Sequence, residues 1–297
     1  MLFTFDSYKK LLDTITGAGY AIHGIEKVLE FRLDGFIPEG KFTAIRHDVD
    51  YYPKRALVLA KIEADQGIAT TYYIRRKFFE SDIPIITKIA ELGHQIGYHY
   101  EEIDTHQKAP NNQVARDAVG FFVGSLLDLD KLGFPIKSVC AHGNPISDVD
   151  NRQVVHLLRD DNFLDQLAFT YDRDLVAEKV TNRLIGDASI DITGKDFDVY
   201  IPDTGRFNPR YNLKDHIDDC KTAGLNNLED LSAILGTTKN HRVYMNMHPD
   251  RWSGDILTWM FDFGLDSAKN MVKRFMGTSD YKGQLVGQKS ESDTNEK

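Results

Sequence analysis

The sequence predicts an α/β fold, a distorted parallel (β/α) barrel of about seven strands. Three observations predict it. From Lys41 onward, short runs of β-branched and aromatic residues alternate with segments of helical period. Glycines at 67, 93 and 133 stand where those helical segments must stop. Polar clusters recur at the C-terminal ends of separate predicted strands, which in a parallel barrel share one face.

Asp6 and Ser7 can cap a first helix through about Ala18, with Tyr8, Leu11, Leu12 and Ile15 on one face. A second helix is expected over 25–33. Together these form an N-terminal helical segment, residues 1–40, packed on the barrel or plugging one end. The barrel occupies 41–277. Its first strand, 42–47, leads to a helix at 53–66, with Pro53 in the first turn. Strand 69–75, helix 84–92 and strand 95–100 follow, then a long helix over 112–132 and strand 136–141. A helix at 150–160, strands near 167–171 and at 197–202, a helix at 227–235, strand 242–247 and a helix at 254–275 complete it. The polar tail, 278–297, reads as disordered.

The 297 residues are enough for one large α/β domain with a full core. Net charge is −9 and no basic cluster stands out, which argues against nucleic acid or an anionic membrane as partner. Two cysteines, Cys140 and Cys220, make neither a disulfide framework nor a CxxC pair and fit a reducing compartment; Cys140 reads as a packed core thiol. The N-terminus lacks an apolar core of signal-peptide length, and no apolar run of about 18 residues could span a membrane. A cytoplasmic protein is expected. Oligomeric state is left open.

The chemistry gathers around KFTAIRHDVDYYP, residues 41–53. Burying unpaired charge is costly, so Arg46, His47, Asp48 and Asp50 behind an apolar strand point to a site. Asp48 and Asp50 lie two apart on extended backbone and face one side. Two such carboxylates repel unless a cation or proton lies between them, which suggests one on a metal and one acting as a base. The alternative is a solvated turn capping the helix that follows. His99 with Asp50 would begin a Zn²⁺ or similar divalent site. His142 is the leading third ligand, with Glu101, Glu102, Asp104 and His106 as competitors. His94 reads as structural or surface. His248 has the neighbours of a catalytic acid: Asp203 or Asp250 could orient it, and Arg251 and Arg206 can hold an anion or an Asp. Trp252 offers a flat face for a sugar, and Tyr98 and Asn144 complete the candidate substrate-binding set with Arg206. No serine-hydrolase elbow, P-loop or dinucleotide fingerprint is present.

These motifs resemble the polysaccharide deacetylase superfamily, the family-four carbohydrate esterases, from about Lys41 to Trp252. His47-Asp48-Val49-Asp50 resembles the family's acidic first motif, and Ala69-Thr70-Thr71-Tyr72-Tyr73 its ATFF-like strand. Gly93-His94-Gln95-Ile96-Gly97-Tyr98-His99 resembles its GHEIGxH motif, and His248 in MNMHPDRW its last histidine. The combination RHDVD, GYHYE, HGNP, DTGR and HPDRW looks most like a divergent cytoplasmic branch found with surface-polysaccharide genes. The resemblance implies a metal-dependent hydrolase that removes an N-acetyl group from an amino sugar, possibly nucleotide- or lipid-linked. Asp48 would be the base, Asp50 and His99 metal ligands, and His248 the acid. It departs at two places. The family's second metal histidine falls on Ile103, and its Arg-x-Pro-Tyr motif is replaced by His142-Gly143-Asn144-Pro145. A hydrolase of another C–N bond, such as a cyclic amide, and a catalytically silent carbohydrate-binding barrel are the alternatives.

Overall fold

The structure, a computed structural model, describes residues 2–106, 112–143, 150–160, 173–203, 217, 220–237 and 241–264. Among the described residues, nine strands form one sheet: β1 Ala21–Gly24, β2 Phe42–Val49, β3 Thr71–Arg75, β4 Gln95–Tyr100, β5 Ser138–Ala141, β6 Gly186–Asp187, β7 Val199–Pro202, β8 Lys221–Thr222 and β9 Arg242–Met247. Eight of them run in the order β6-β5-β4-β3-β2-β9-β7-β8. Each pairing is parallel. The expected parallel α/β architecture is present as a curled half-barrel: among the described residues, edge strands β6 and β8 do not pair.

The α-helices named among the described residues are α1 Phe5–Gly17, α2 Ile25–Leu33, α3 Pro53–Asp65, α4 Phe78–Ser81, α5 Ile83–Glu91, α6 Glu102–His106, α7 Asn112–Lys131, α8 Gln153–Leu158, α9 Arg173–Val176 and α10 Leu228–Gly236. Residues 256–264 are helical, within the helix expected at 254–275. Most expected elements appear within a few residues of their predicted ends. The cap of α1 is Thr4, whose hydroxyl accepts from the Ser7 N–H at 3.2 Å, and not Asp6 or Ser7. The segment before Lys41 is not wholly helical, because β1 pairs with residues 42–45 of β2 while β3 pairs with 46–49. The expected strand near 167–171 and the tail from 278 lie outside the described residues.

Side-chain alternation along β2 sets the two layers. Phe42 and Ala44 face inward and join Tyr73, Cys140, Tyr200 and Tyr244 in a cluster with Ile25, Val28 and Leu29 of α2. This cluster fills the half-barrel beneath Arg46 and Asp48. Ile45 and Val49 face outward, into cores formed with α1 and α10 on one side and α3, α5 and α7 on the other. Gly97 is required at a close approach: a Cβ there would lie 2.4 Å from the Tyr73 ring and 3.0 Å from the Ser138 carbonyl. Gly93 answers a different need, a turn at φ +94° after α5. No helix among the described residues is long and apolar enough to cross a membrane.

Candidate metal centre and active site

Asp50 follows β2, His99 sits on β4 and His142 follows β5, so three strand ends bring them together. Asp50 Oδ1 is 3.5 Å from His99 Nε2 and 3.6 Å from His142 Nε2. It is shut off from solvent and has no hydrogen-bond partner. Its separations from the two ring nitrogens exceed a good hydrogen bond. They match the spacing of neighbouring ligand atoms about a small cation whose bonds are each about 2.0–2.2 Å. His99 Nδ1 faces the Cys140 carbonyl at 2.9 Å, an acceptor, so it donates there and Nε2 is directed at Asp50.

The electrostatics run the same way. Burial opposes ionisation of Asp50, but the neighbouring His99, then His248 and His142, hold its carboxyl far below the usual range. Burial lowers the pKa of His99, yet Asp48 and Asp50 outweigh it and raise it well above normal. Burial pushes His142 down despite Asp50, which favours a neutral, ligand-capable imidazole. The Asp50 carboxylate is thus balanced chiefly by a positively charged His99. A second buried set, Asp48, His99 and Cys140, places one donor atom each within 4.8 Å of one another, and shares His99 with the first. Asp48 there is already engaged: its Oδ2 accepts from Arg46 Nη2 at 2.7 Å, leaving Oδ1 unpartnered. Burial pushes the Cys140 thiol up. Unlike Asp48, Asp50 has neither carboxylate oxygen tied to an arginine.

Across the mouth, Asp203 organises His248. The ring donates from Nδ1 to Asp203 Oδ1 at 2.6 Å, and the His248 backbone N–H donates to Oδ2 at 2.6 Å. Arg251 Nη1 donates to the same Oδ1 at 2.6 Å. His248 Nε2 is left facing Asp50 Oδ2, 3.9 Å away. Burial and Arg251 work against protonation of His248, but Asp203 prevails and its pKa is raised. Of the two orienting candidates, Asp203 is the one bonded to the ring. Asp250 is instead half-buried, its carboxyl pushed up to about 6 by desolvation, with Oδ1 unpartnered.

Two sequence expectations are corrected. Trp252 cannot offer its face to a sugar: it is fully buried, 4.6 Å from the Phe3 ring and 5.0 Å from that of Tyr8. Tyr98 is also buried, stacked on Phe122 with its hydroxyl donating to Glu102, because its place on β4 points it to the outer layer. Asn144 and Arg206 lie outside the described residues. Among the competing third ligands, Glu102 is turned to Tyr98, and Asp104 accepts from Asn151 at 3.0 Å. The side chain of His106 lies outside the described residues. Ile103 is core.

Sequence reasoning noted Arg46 without giving it a role, and missed Arg75 and Asn151. Arg46 binds Asp48, and its two-residue spacing on one strand was a usable signal. Arg75, at the end of β3, grips Glu101 with Nε to Oε1 at 2.8 Å and Nη2 to Oε2. Asn151 is buried and donates to the His142 carbonyl at 2.9 Å while accepting from the Ile103 and Asp104 N–H groups. Nothing local marks it.

No protein-family model matches the chain, and no curated protein matches it. Among solved structures, the chain is similar to the Streptococcus pyogenes deacetylase PplD in complex with acetate, at 14% identity and TM-score 0.39, over 52% of this chain and 70% of that one. It is also similar to BA3943 of Bacillus anthracis, a CE4 family pseudoenzyme, at 10% identity and TM-score 0.40, over 79% of this chain and 63% of that one. A BA3943 mutant with restored enzymatic activity matches at 10% identity and TM-score 0.39, over 72% of this chain and 58% of that one. The chain thus spans less than two thirds of BA3943.

Proposed function

We propose that the protein is a metal-dependent hydrolase that removes an N-acetyl group from an amino sugar. The observation that carries the reading is Asp50 Oδ1, sealed and unpartnered between two imidazole Nε2 atoms at 3.5 and 3.6 Å. Asp50, His99 and His142 would hold a divalent cation, with Zn²⁺ suited to such N/O donors. Bound there, the cation would supply Lewis acidity toward the amide carbonyl and acidify a water.

The chain's own groups would do the rest. Asp48, kept ionised and fixed by Arg46, accepts the proton of the attacking water through its unpartnered Oδ1. His248, held charged by Asp203, gives a proton from Nε2 to the leaving amine nitrogen. Arg251 fixes Asp203 from the other side. Both cysteines are free thiols, as a reducing compartment would leave them. We read the substrate as a small or activated intracellular amino sugar of surface-polysaccharide biosynthesis, in keeping with the resemblance of the motifs.

A second reading, a catalytically silent carbohydrate-binding barrel, is favoured by Ile103, which is fully buried in the core, so that position supplies no ligand. Elemental analysis of the purified protein beside His99→Ala and His142→Ala separates the two. About one equivalent of Zn²⁺ or another divalent metal, lost in both variants, with acetate released from N-acetylated nucleotide sugars, is the expected result. A wild-type protein that takes up no metal even after reconstitution would sink the hydrolase and leave the binding barrel. Metal with activity only on a cyclic amide would keep the centre and change the bond.

A further inference from the structure

His142 reaches the cluster from the end of β5, and its far ring nitrogen sits in an unusual setting. Nε2 faces Asp50, while Nδ1 is sealed from solvent and has no hydrogen-bond partner. Beyond Nδ1 stands Glu101 Oε2, at 3.6 Å, a small ring rotation short of a hydrogen bond. Glu101 cannot swing into the centre as a ligand itself, because Arg75 binds both of its oxygens in a two-pronged pair. Backbone contacts fix the other end of the arrangement. The His142 N–H donates to the Tyr100 carbonyl at 2.8 Å, and its carbonyl accepts from Asn151. The ring is thus left with one main freedom, rotation about its side-chain bonds, and one nitrogen without a partner.

We propose that Glu101, held by Arg75, is a positioning residue that accepts from His142 Nδ1–H and so commits Nε2 to a cation shared with Asp50 and His99. The proposal rests on the metal-dependent reading above and adds to it the means by which the ligand absent at Ile103 is replaced. A neutral imidazole has one N–H and one lone pair, so tying the N–H to a carboxylate fixes the tautomer and makes the remaining nitrogen a stronger donor. His99 receives the same service from a different acceptor, the Cys140 carbonyl. Each candidate histidine ligand then has its own support, one from backbone and one from an arginine-anchored carboxylate.

The alternative is that Arg75 and Glu101 are an ordinary ion pair that closes the cleft. Zn²⁺ titration of the full chain by calorimetry distinguishes them, with unfolding of the metal-free proteins as a fold control. Glu101→Gln should raise the Zn²⁺ Kd by about 10- to 100-fold. Arg75→Gln should shift it the same way, by less. In a His142→Ala background, Glu101→Gln should have no further effect, because the ring it positions is gone. A wild-type Kd in Glu101→Gln, or an equal loss with and without His142, would overturn the proposal. If Glu101→Gln does not fold, Arg75→Gln with and without His142→Ala carries the same test. A wild-type protein with no affinity for Zn²⁺ removes the metal reading itself. Wild-type binding that Glu101→Gln leaves unchanged removes this inference alone.

Discussion

Strand β2 separates two buried histidine–carboxylate clusters built from the same residue types. On its outer face, His47 Nε2 donates to Glu63 Oε1 at 2.8 Å, and Tyr8 donates to the same oxygen. Glu63 Oε2 accepts from Thr70 at 2.8 Å and Tyr72 at 2.7 Å. His94 is spent on backbone: Nδ1 accepts from the Thr70 N–H at 3.1 Å and Nε2 donates to the Ala60 carbonyl at 2.9 Å. Only His47 Nδ1 in this cluster is unpartnered. On the side of Asp48 and Asp50, by contrast, Asp48 Oδ1, Asp50 Oδ1, His142 Nδ1 and Asp250 Oδ1 are all without partners. Buried polar groups are normally satisfied, so the first cluster is a cross-link between α1, α3, β2 and β3, and the second is where the proposed cation would sit. Residue type does not separate a structural network from a site, whereas unmet bonding does.

The sharpest way to break that contrast is Asp48→Asn. Turnover should fall by about 10²- to 10⁴-fold, as expected for a lost general base, while metal content stays at the wild-type level. Loss of metal in this variant would exchange the roles of the two aspartates. On the opposite face, Glu63→Ala should destabilise the fold by about 3–5 kcal/mol in urea unfolding, since it strands a buried histidine and three hydroxyls. The Zn²⁺ affinity of whatever remains folded should not change. A protein that keeps its stability but loses metal would mean that the outer cluster belongs to the site.

Glu102 provides a test on pH. Burial lifts its carboxyl from 4.5 to about 7. The folded state therefore holds a proton that the unfolded state has released, so stability declines as pH rises from about 4.5 to about 7. The contribution is at most about 3 kcal/mol, and Glu102→Gln should flatten that stretch of the stability–pH curve. An unaltered slope would assign it to other groups. The smallest effect concerns Gly97. A methyl group there must displace the Tyr73 ring, so Gly97→Ala should cost about 1–3 kcal/mol. Adding Tyr73→Leu should recover part of that loss, and an additive double variant would show that the ring is not the obstacle.

Much of this molecule was legible in the chain. Period and punctuation placed α2, α3, β4 and β9 within a residue or two, because local backbone preferences and glycine stops act over short distances. The two-residue spacing of Asp48 and Asp50 anticipated a shared face, and the strand-end rule drew attention to His99, His142 and His248. β1, β6 and β8 were not legible: they are two to four residues long and exist as strands only because a neighbour offers its edge. Burial of Trp252 and Tyr98 was hidden too, since an aromatic beside a motif reads the same whether it faces the cleft or the core. The sequence by itself determined which chemistry could be assembled and on which strand ends. Only the tertiary structure decided which histidines are satisfied and which are not, because Asn151, Arg75 and Glu63 reach their partners across elements far apart in the chain.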